Sequence, residues 1–166
     1  MICEVLHYPD PRLAEKCKPV DEITDEIKEL AANMAETMYK EDGVGLAAPQ
    51  VGQLIRLVVI DVSGPEVQND LMTLVNPCIV EANGSCDSEE GCLSVVNYRA
   101  KVKRAETVTV KALDLDGNEV TIEGEGLLAI CLQHELDHLD GVLFIDKVSR
   151  LKRSMYDKKV KKWMKR

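Results

Sequence analysis

Between residues 24 and 40, TDEIKELAANMAETMYK, apolar side chains recur at Ile27, Leu30, Ala31, Met34 and Met38, the spacing of one helix face. Thr24 is placed to cap this helix, with Asp25 and Glu26 in the first turn, where the helix dipole favours acids. The period breaks in GVGLAAPQ (43–50), whose glycines and proline predict a loop. IRLVVIDV (55–62) and LMTLVNPCIV (71–80) are apolar runs of strand length and read as mostly buried strands. Residues 106–123 alternate on either side of Asp116-Gly117-Asn118, which predicts a hairpin. GLLAICLQHELDHLDG (126–141) is apolar nearly all round its first two turns, as a helix sunk in the core would be, and Gly141 is suited to end it. VLFIDKV (142–148) predicts a short strand. Leu151, Met155, Val160 and Trp163 predict an amphipathic C-terminal helix within 150–166. Taken in order these elements make an α+β fold, with mostly antiparallel sheet around a central helix, in one domain spanning 1–166.

The central helix carries the chemistry. In QHELDH, His134 and His138 are four residues apart, so both imidazoles lie on one face about 6 Å apart along the axis and can converge on a cation. Glu135 sits in the same turn, within reach of a water at that cation. Two histidines and a glutamate in an apolar helix need a partner, since unpaired burial of such groups is costly.

The third ligand is less direct. A third histidine six residues after the second would fall on Phe144, and no glutamate follows Glu135, so the common peptidase solutions are absent. Asp146 is conceivable, with strand-like flanks against it, and His7 lies in a stretch with no other site-like feature. Cys131 is one turn from His134, which leaves its sulfur too far for the ~2.3 Å of a thiolate bond. Cys92, in SEEGCLS (88–94), is better placed, because a glycine-containing loop can bring its thiolate to the helix. A Cys/His/His set leaves a fourth position for water, the mark of a catalytic site.

Charge adds a second feature. Residues 150–166 hold nine Lys/Arg and one Asp, a balance of +8, whereas the rest of the chain carries 12 basic and 28 acidic residues, a balance of −16. The body is not built to bind nucleic acid, but the tail is suited to a polyanion. There is no basic-then-apolar leader and no run near the roughly 20 apolar residues of a membrane span, so a cytoplasmic protein with six reduced cysteines is expected.

GVGLAAPQ, EGCLS (90–94) and QHELDHLDG (133–141), in this order and spacing, strongly resemble the peptide deformylase family, and the likeness extends to HYPDPRL near the start. The resemblance implies a hydrolase that removes the formyl group from the initiator methionine of nascent chains and releases formate. It implies that Cys92, His134 and His138 hold the metal and that Glu135 is general base and acid. Gln50 and the Leu93 N–H would meet the oxyanion. It further implies that Gly43 and Gly45 let the backbone approach the peptide, and that Val44, Leu127, Ile130 and Cys131 wall the methionine pocket. Arg99 would stand at the mouth, with Glu90 and Arg104 paired behind the cysteine. Val96 departs from the family, which commonly has proline there; valine neither fixes φ nor removes an N–H.

Fe²⁺ is the metal the resemblance points to in the cell, while the ligand set also suits Zn²⁺, Ni²⁺ and Co²⁺. The expected partners are N-formyl-methionyl nascent peptides and, through the basic tail, the ribosome, with the protein a monomer and no membrane involved. Two other readings compete: an HExxH metallopeptidase, disfavoured by the missing downstream ligand, and a non-catalytic metal-binding module on the ribosome, for which Glu135 and Gln50 would have no use.

Overall fold

A computed structural model describes residues 1–164. Thr24 Oγ1 accepts from Ile27 N and opens α1 (Asp25–Lys40), which buries Ala31, Met34 and Met38. Thr37, also fully buried there, satisfies its hydroxyl by donating to the Asn33 carbonyl four residues back. Strands β1 (Gly45–Ala47), β2 (Leu57–Ile60), β3 (Met72–Asn83), β6 (Thr107–Leu113) and β7 (Glu119–Glu125) form one antiparallel sheet in the order β1-β2-β3-β6-β7. β4 (Cys86–Cys92) and β5 (Val95–Arg104) form a separate hairpin. All four residues of β2 are fully buried, as a central strand covered on both faces should be.

Helix α2 (Gly126–Leu139) packs on this sheet, its Ala129, Leu132, Leu136 and Leu139 meeting Ala47, Val58, Ile60, Leu74 and Val110. It ends where Gly141 takes φ 77°; a Cβ there would also lie 2.5 Å from the Ala14 carbonyl oxygen, so only glycine fits. Helix α3 (Arg150–Met164) closes the described chain, and positions 165 and 166 of the expected helix lie outside the described residues. No helix among the described residues is long and apolar enough to cross a membrane.

Four local expectations are corrected. The 43–50 stretch is not simply a loop: it contains β1 and a short 3-10 turn over Ala48–Val51. SEEGCLS is not a loop either, since Cys92 is the last residue of β4 and Leu93–Ser94 is the hairpin turn. The expected strand at 142–148 is a 3-10 turn over Phe144–Lys147, closed by Asp146 accepting from the Leu143 N–H at 2.8 Å. In α3 the buried side chains are Tyr156 and Val160, whereas Leu151 and Met155 face solvent. β3 also differs in degree, because its far half leaves the core and exposes Ile79 and Val80.

Candidate metal centre and cavity

His134 and His138 project from one face of α2 toward Cys92 at the end of β4. One ligand atom from each lies within 4.8 Å of the other two, and Cys92 Sγ is 3.4 Å from His138 Nε2. Thiolate and imidazole bonds of about 2.3 and 2.0–2.1 Å at tetrahedral angles put sulfur and nitrogen about 3.5 Å apart, so the spacing matches a shared cation. Of the other candidate ligands, Cys131 and His7 lie outside this group, and Asp146 is occupied by Leu143 N–H and Arg153.

The surroundings suit a bound cation. Burial would lower the pKa of His134, but Cys92 and the Glu90 carboxylate reverse this and draw it well above its ordinary value: the cluster attracts positive charge. Burial drives His138 well below its ordinary value, helped by the charges of His134 and Arg104, and keeps it neutral as a ligand must be. His134 Nδ1 donates to Glu90 Oε1 at 3.0 Å, which leaves Nε2 with a free lone pair. Glu90 also accepts both Arg104 Nε and a terminal guanidinium nitrogen, each at 2.7 Å, and Arg104 donates on to Asp137 at 2.6 Å. Burial raises the Glu90 carboxyl, yet Arg104 and His134 overcome it and hold the group at about 2. The Cys92 sulfur accepts the Ser94 N–H at 3.4 Å.

Glu135, 2% exposed, has Oε1 at 3.9 Å from both His134 Nε2 and His138 Nε2. Burial pushes its carboxyl up to about 7, against the opposing effect of His134. A carboxyl there can take or give a proton near neutrality. Gln50 is buried, with its Oε1 accepting from the Ala47 N–H at 2.9 Å; this turns Nε2 toward Ser94 Oγ at 3.1 Å and Cys92 Sγ at 3.6 Å.

A cavity of about 720 Å³ opens over this cluster. Gly43, Val44 and Gly45 line one part of it, Leu127, Ile130 and Cys131 of α2 another, and Gln50, Leu93, His134 and Glu135 lie along it too. Arg99 lines it as well, with its guanidinium donating to the Glu89 carbonyl at 3.3 Å. Of the residues singled out from sequence, His138 and Arg104 lie behind this cavity, in contact with the cluster rather than the opening.

A model of the polypeptide deformylase family matches residues 2–154. The chain belongs to that family. It is 51% identical over 160 residues to a peptide deformylase of Thermodesulfovibrio yellowstonii, covering 96% of this chain and 97% of that one. The fold superposes on a peptide deformylase from Legionella pneumophila with a TM-score of 0.93, at 47% identity over 99% of this chain and 96% of the other. A peptide deformylase from Ehrlichia chaffeensis in complex with actinonin superposes with a TM-score of 0.91, at 37% identity over 97% and 96% of the two chains. Deformylase membership makes the chain an enzyme, not a bare metal-binding module, and agrees with the α+β architecture.

Sequence reasoning missed three residues of the cluster. Ser94 is fully buried against Gln50, Asp137 ends the Glu90–Arg104 chain, and the Phe144 ring lies 6.2 Å from that of His134. Position 144 attracted notice only for lacking a histidine. A polar Ser or Asp in a motif carries no periodic signal of its own.

Proposed function

We propose that this chain removes the formyl group from the N-terminal methionine of nascent polypeptides in the cytoplasm, releasing formate and a free α-amine. The observation that carries the reading is the Glu135 carboxylate, equidistant from the two imidazoles at the floor of a cavity large enough for a peptide end. Cys92, His134 and His138 would hold a divalent cation, which would supply Lewis acidity and lower the pKa of a water there toward neutrality. Fe²⁺ is the cation proposed for the cell, with Zn²⁺, Ni²⁺ and Co²⁺ as alternatives the donor set accepts.

Glu135 takes the proton of the attacking water and returns it to the departing amine. As negative charge grows on the formyl oxygen, the Gln50 amide and the Leu93 N–H donate to it. The Gln50 amide is already oriented by Ala47, so little reorganisation is needed. β1 is an edge strand, so Gly43, Val44 and Gly45 can hydrogen-bond the incoming peptide as an added strand. Val44, Leu127, Ile130 and Cys131 receive the methionine side chain, and Arg99 stands where the following residues leave. Glu90 and Arg104 keep His134 in the tautomer and orientation a ligand needs.

The protein acts as a monomer, and the basic α3 holds it near ribosomal RNA, where formylated chains emerge. The test is formate release from a formyl-Met tripeptide by enzyme prepared without oxygen. Wild type should turn over and Glu135→Ala should not; a silent wild type, or near-normal turnover by the variant, refutes the reading.

A further inference from the structure

A bulge sits at the lip of the cavity. From the Leu93–Ser94 turn outward, β4 advances two residues, Cys92 to Glu90, while β5 advances five, Val95 to Ala100. Val96 to Arg99 therefore have no partner residue across the ladder, and Asn97 adopts φ 56°, a left-handed conformation that asparagine tolerates. Asn97, Tyr98 and Arg99 all line the cavity. A bulge whose residues lack register partners needs further contacts to fix it, and the Arg99 guanidinium donating to the Glu89 carbonyl at 3.3 Å supplies one.

Helix α3 supplies another. Tyr156, 2% exposed, donates its hydroxyl to the Val96 carbonyl oxygen at 2.7 Å, and its ring centroid lies 4.8 Å from that of Tyr98. Tyr98 also stacks on Phe144 at 5.9 Å. The helix is itself anchored, by Tyr8 donating to Asp157 at 2.5 Å, by the Arg153–Asp146 ion pair and by buried Val160. Tyr156 is the point in this set where a side chain of α3 grips the β5 backbone.

We propose that Tyr156 is a positioning residue: it fixes the Val96 carbonyl, and with it the bulge that carries Asn97, Tyr98 and Arg99 into the substrate cavity. It acts through the backbone and touches no reacting atom. The idea that the bulge contacts the peptide beyond its first residue rests on the deformylase reading; the idea that Tyr156 holds the bulge does not.

The test compares wild type with Tyr156→Phe, which keeps the ring and removes the hydroxyl. Backbone amide exchange at 96–99 should accelerate roughly three- to tenfold, the range expected for one lost hydrogen bond. Emission of Trp163, the single tryptophan, whose ring lies 6.0 Å from Tyr156, should stay unchanged and show that α3 remains docked. KM for a formyl-Met tripeptide should rise severalfold with kcat retained, while kcat/KM for formyl-Met itself should not move. A merely stabilising hydroxyl would lower the melting temperature without that dependence on peptide length. Unchanged exchange at 96–99 overturns the proposal, as does faster exchange with both substrates affected alike. A wild type that releases no formate sinks the functional reading alone, and exchange still decides whether Tyr156 holds the bulge.

Discussion

The Gly45 backbone passes so close to Glu135 that a Cβ on residue 45 would stand 2.7 Å from Glu135 Oε2. The missing side chain is thus a condition for the carboxylate's position. Gly45→Ala should push Glu135 off the point equidistant from the two imidazoles. A displacement of about 1 Å at a proton-transferring group costs on the order of 10²-fold in rate. Formate release should fall by about that factor while metal content stays at the wild-type level. Loss of metal together with activity would show instead that the methyl group disrupts the ligands.

The Glu90–Arg104 pair makes a different prediction. Both side chains are almost fully buried, joined by two hydrogen bonds, and Glu90 also holds His134. Arg104→Leu strands a buried carboxylate, a change that costs about 3–5 kcal/mol of stability. Metal affinity should fall about 10–100-fold, because Glu90, which orients His134, loses the guanidinium that fixes it. Denaturant midpoints and competitive chelator titration measure the two effects. Glu90→Gln with Arg104→Leu should recover much of the stability but not the metal affinity; full recovery of both would separate the pair from the centre.

Legibility followed the burial of apolar side chains. Helices α1 and α2, the hairpin of β6 and β7, and strands β2 and β3 were readable because their buried faces are apolar and periodic. β4 was not, because its two buried positions are Ser88 and Glu90. A strand that turns polar groups inward to build a site hides its period from any hydrophobicity rule. The 142–148 stretch misled for the opposite reason: Leu143, Phe144 and Ile145 are all buried, which a tight turn packed on β5 allows as well as a strand does. At the site, His134, Glu135 and His138 were legible from helical spacing alone. Cys92 was preferred for its glycine-bearing segment, although that segment is a strand end. Ser94 and Asp137, which orient Gln50 and Arg104, left no pattern to read.

The cysteines separate by environment. Burial pushes the Cys17 thiol up to about 11 and the Cys131 thiol up to about 12, the latter with help from Glu135 and Glu90. Cys78 is exposed. Since the thiolate is the nucleophile, iodoacetamide at pH 8 should modify Cys78 first and leave Cys17 and Cys131 largely unreacted until the protein unfolds. Peptide mass mapping over time gives the order. Early modification of Cys131 in folded protein would show that the cavity wall is open to reagents and its thiol ionised.

Asp61 supplies a pH dependence of its own, because its side-chain partners are Tyr39 and Ser63 rather than the metal ligands. It is fully buried at the end of β2 and accepts from Tyr39 Oη at 2.6 Å, Ser63 N at 2.9 Å and Ser63 Oγ at 2.5 Å. Burial alone would raise its pKa, but hydrogen bonds from Ser63 and Tyr39 overcome that and hold it below the ordinary carboxylate value. A folded-state pKa below the unfolded one, about 3.9, means that the ionised group stabilises the fold. That stabilisation is complete above about pH 5 and is lost as pH falls through the folded-state value. Asp61→Asn should therefore be less stable than wild type at pH 7 by an amount that stays constant down to about pH 5. The gap should then close as pH falls to 3, because wild type alone loses the contribution of the charge. Urea unfolding at half-unit pH steps measures it. A gap that is constant or widening between pH 5 and pH 3 would mean that Asp61 is not held ionised by Tyr39 and Ser63.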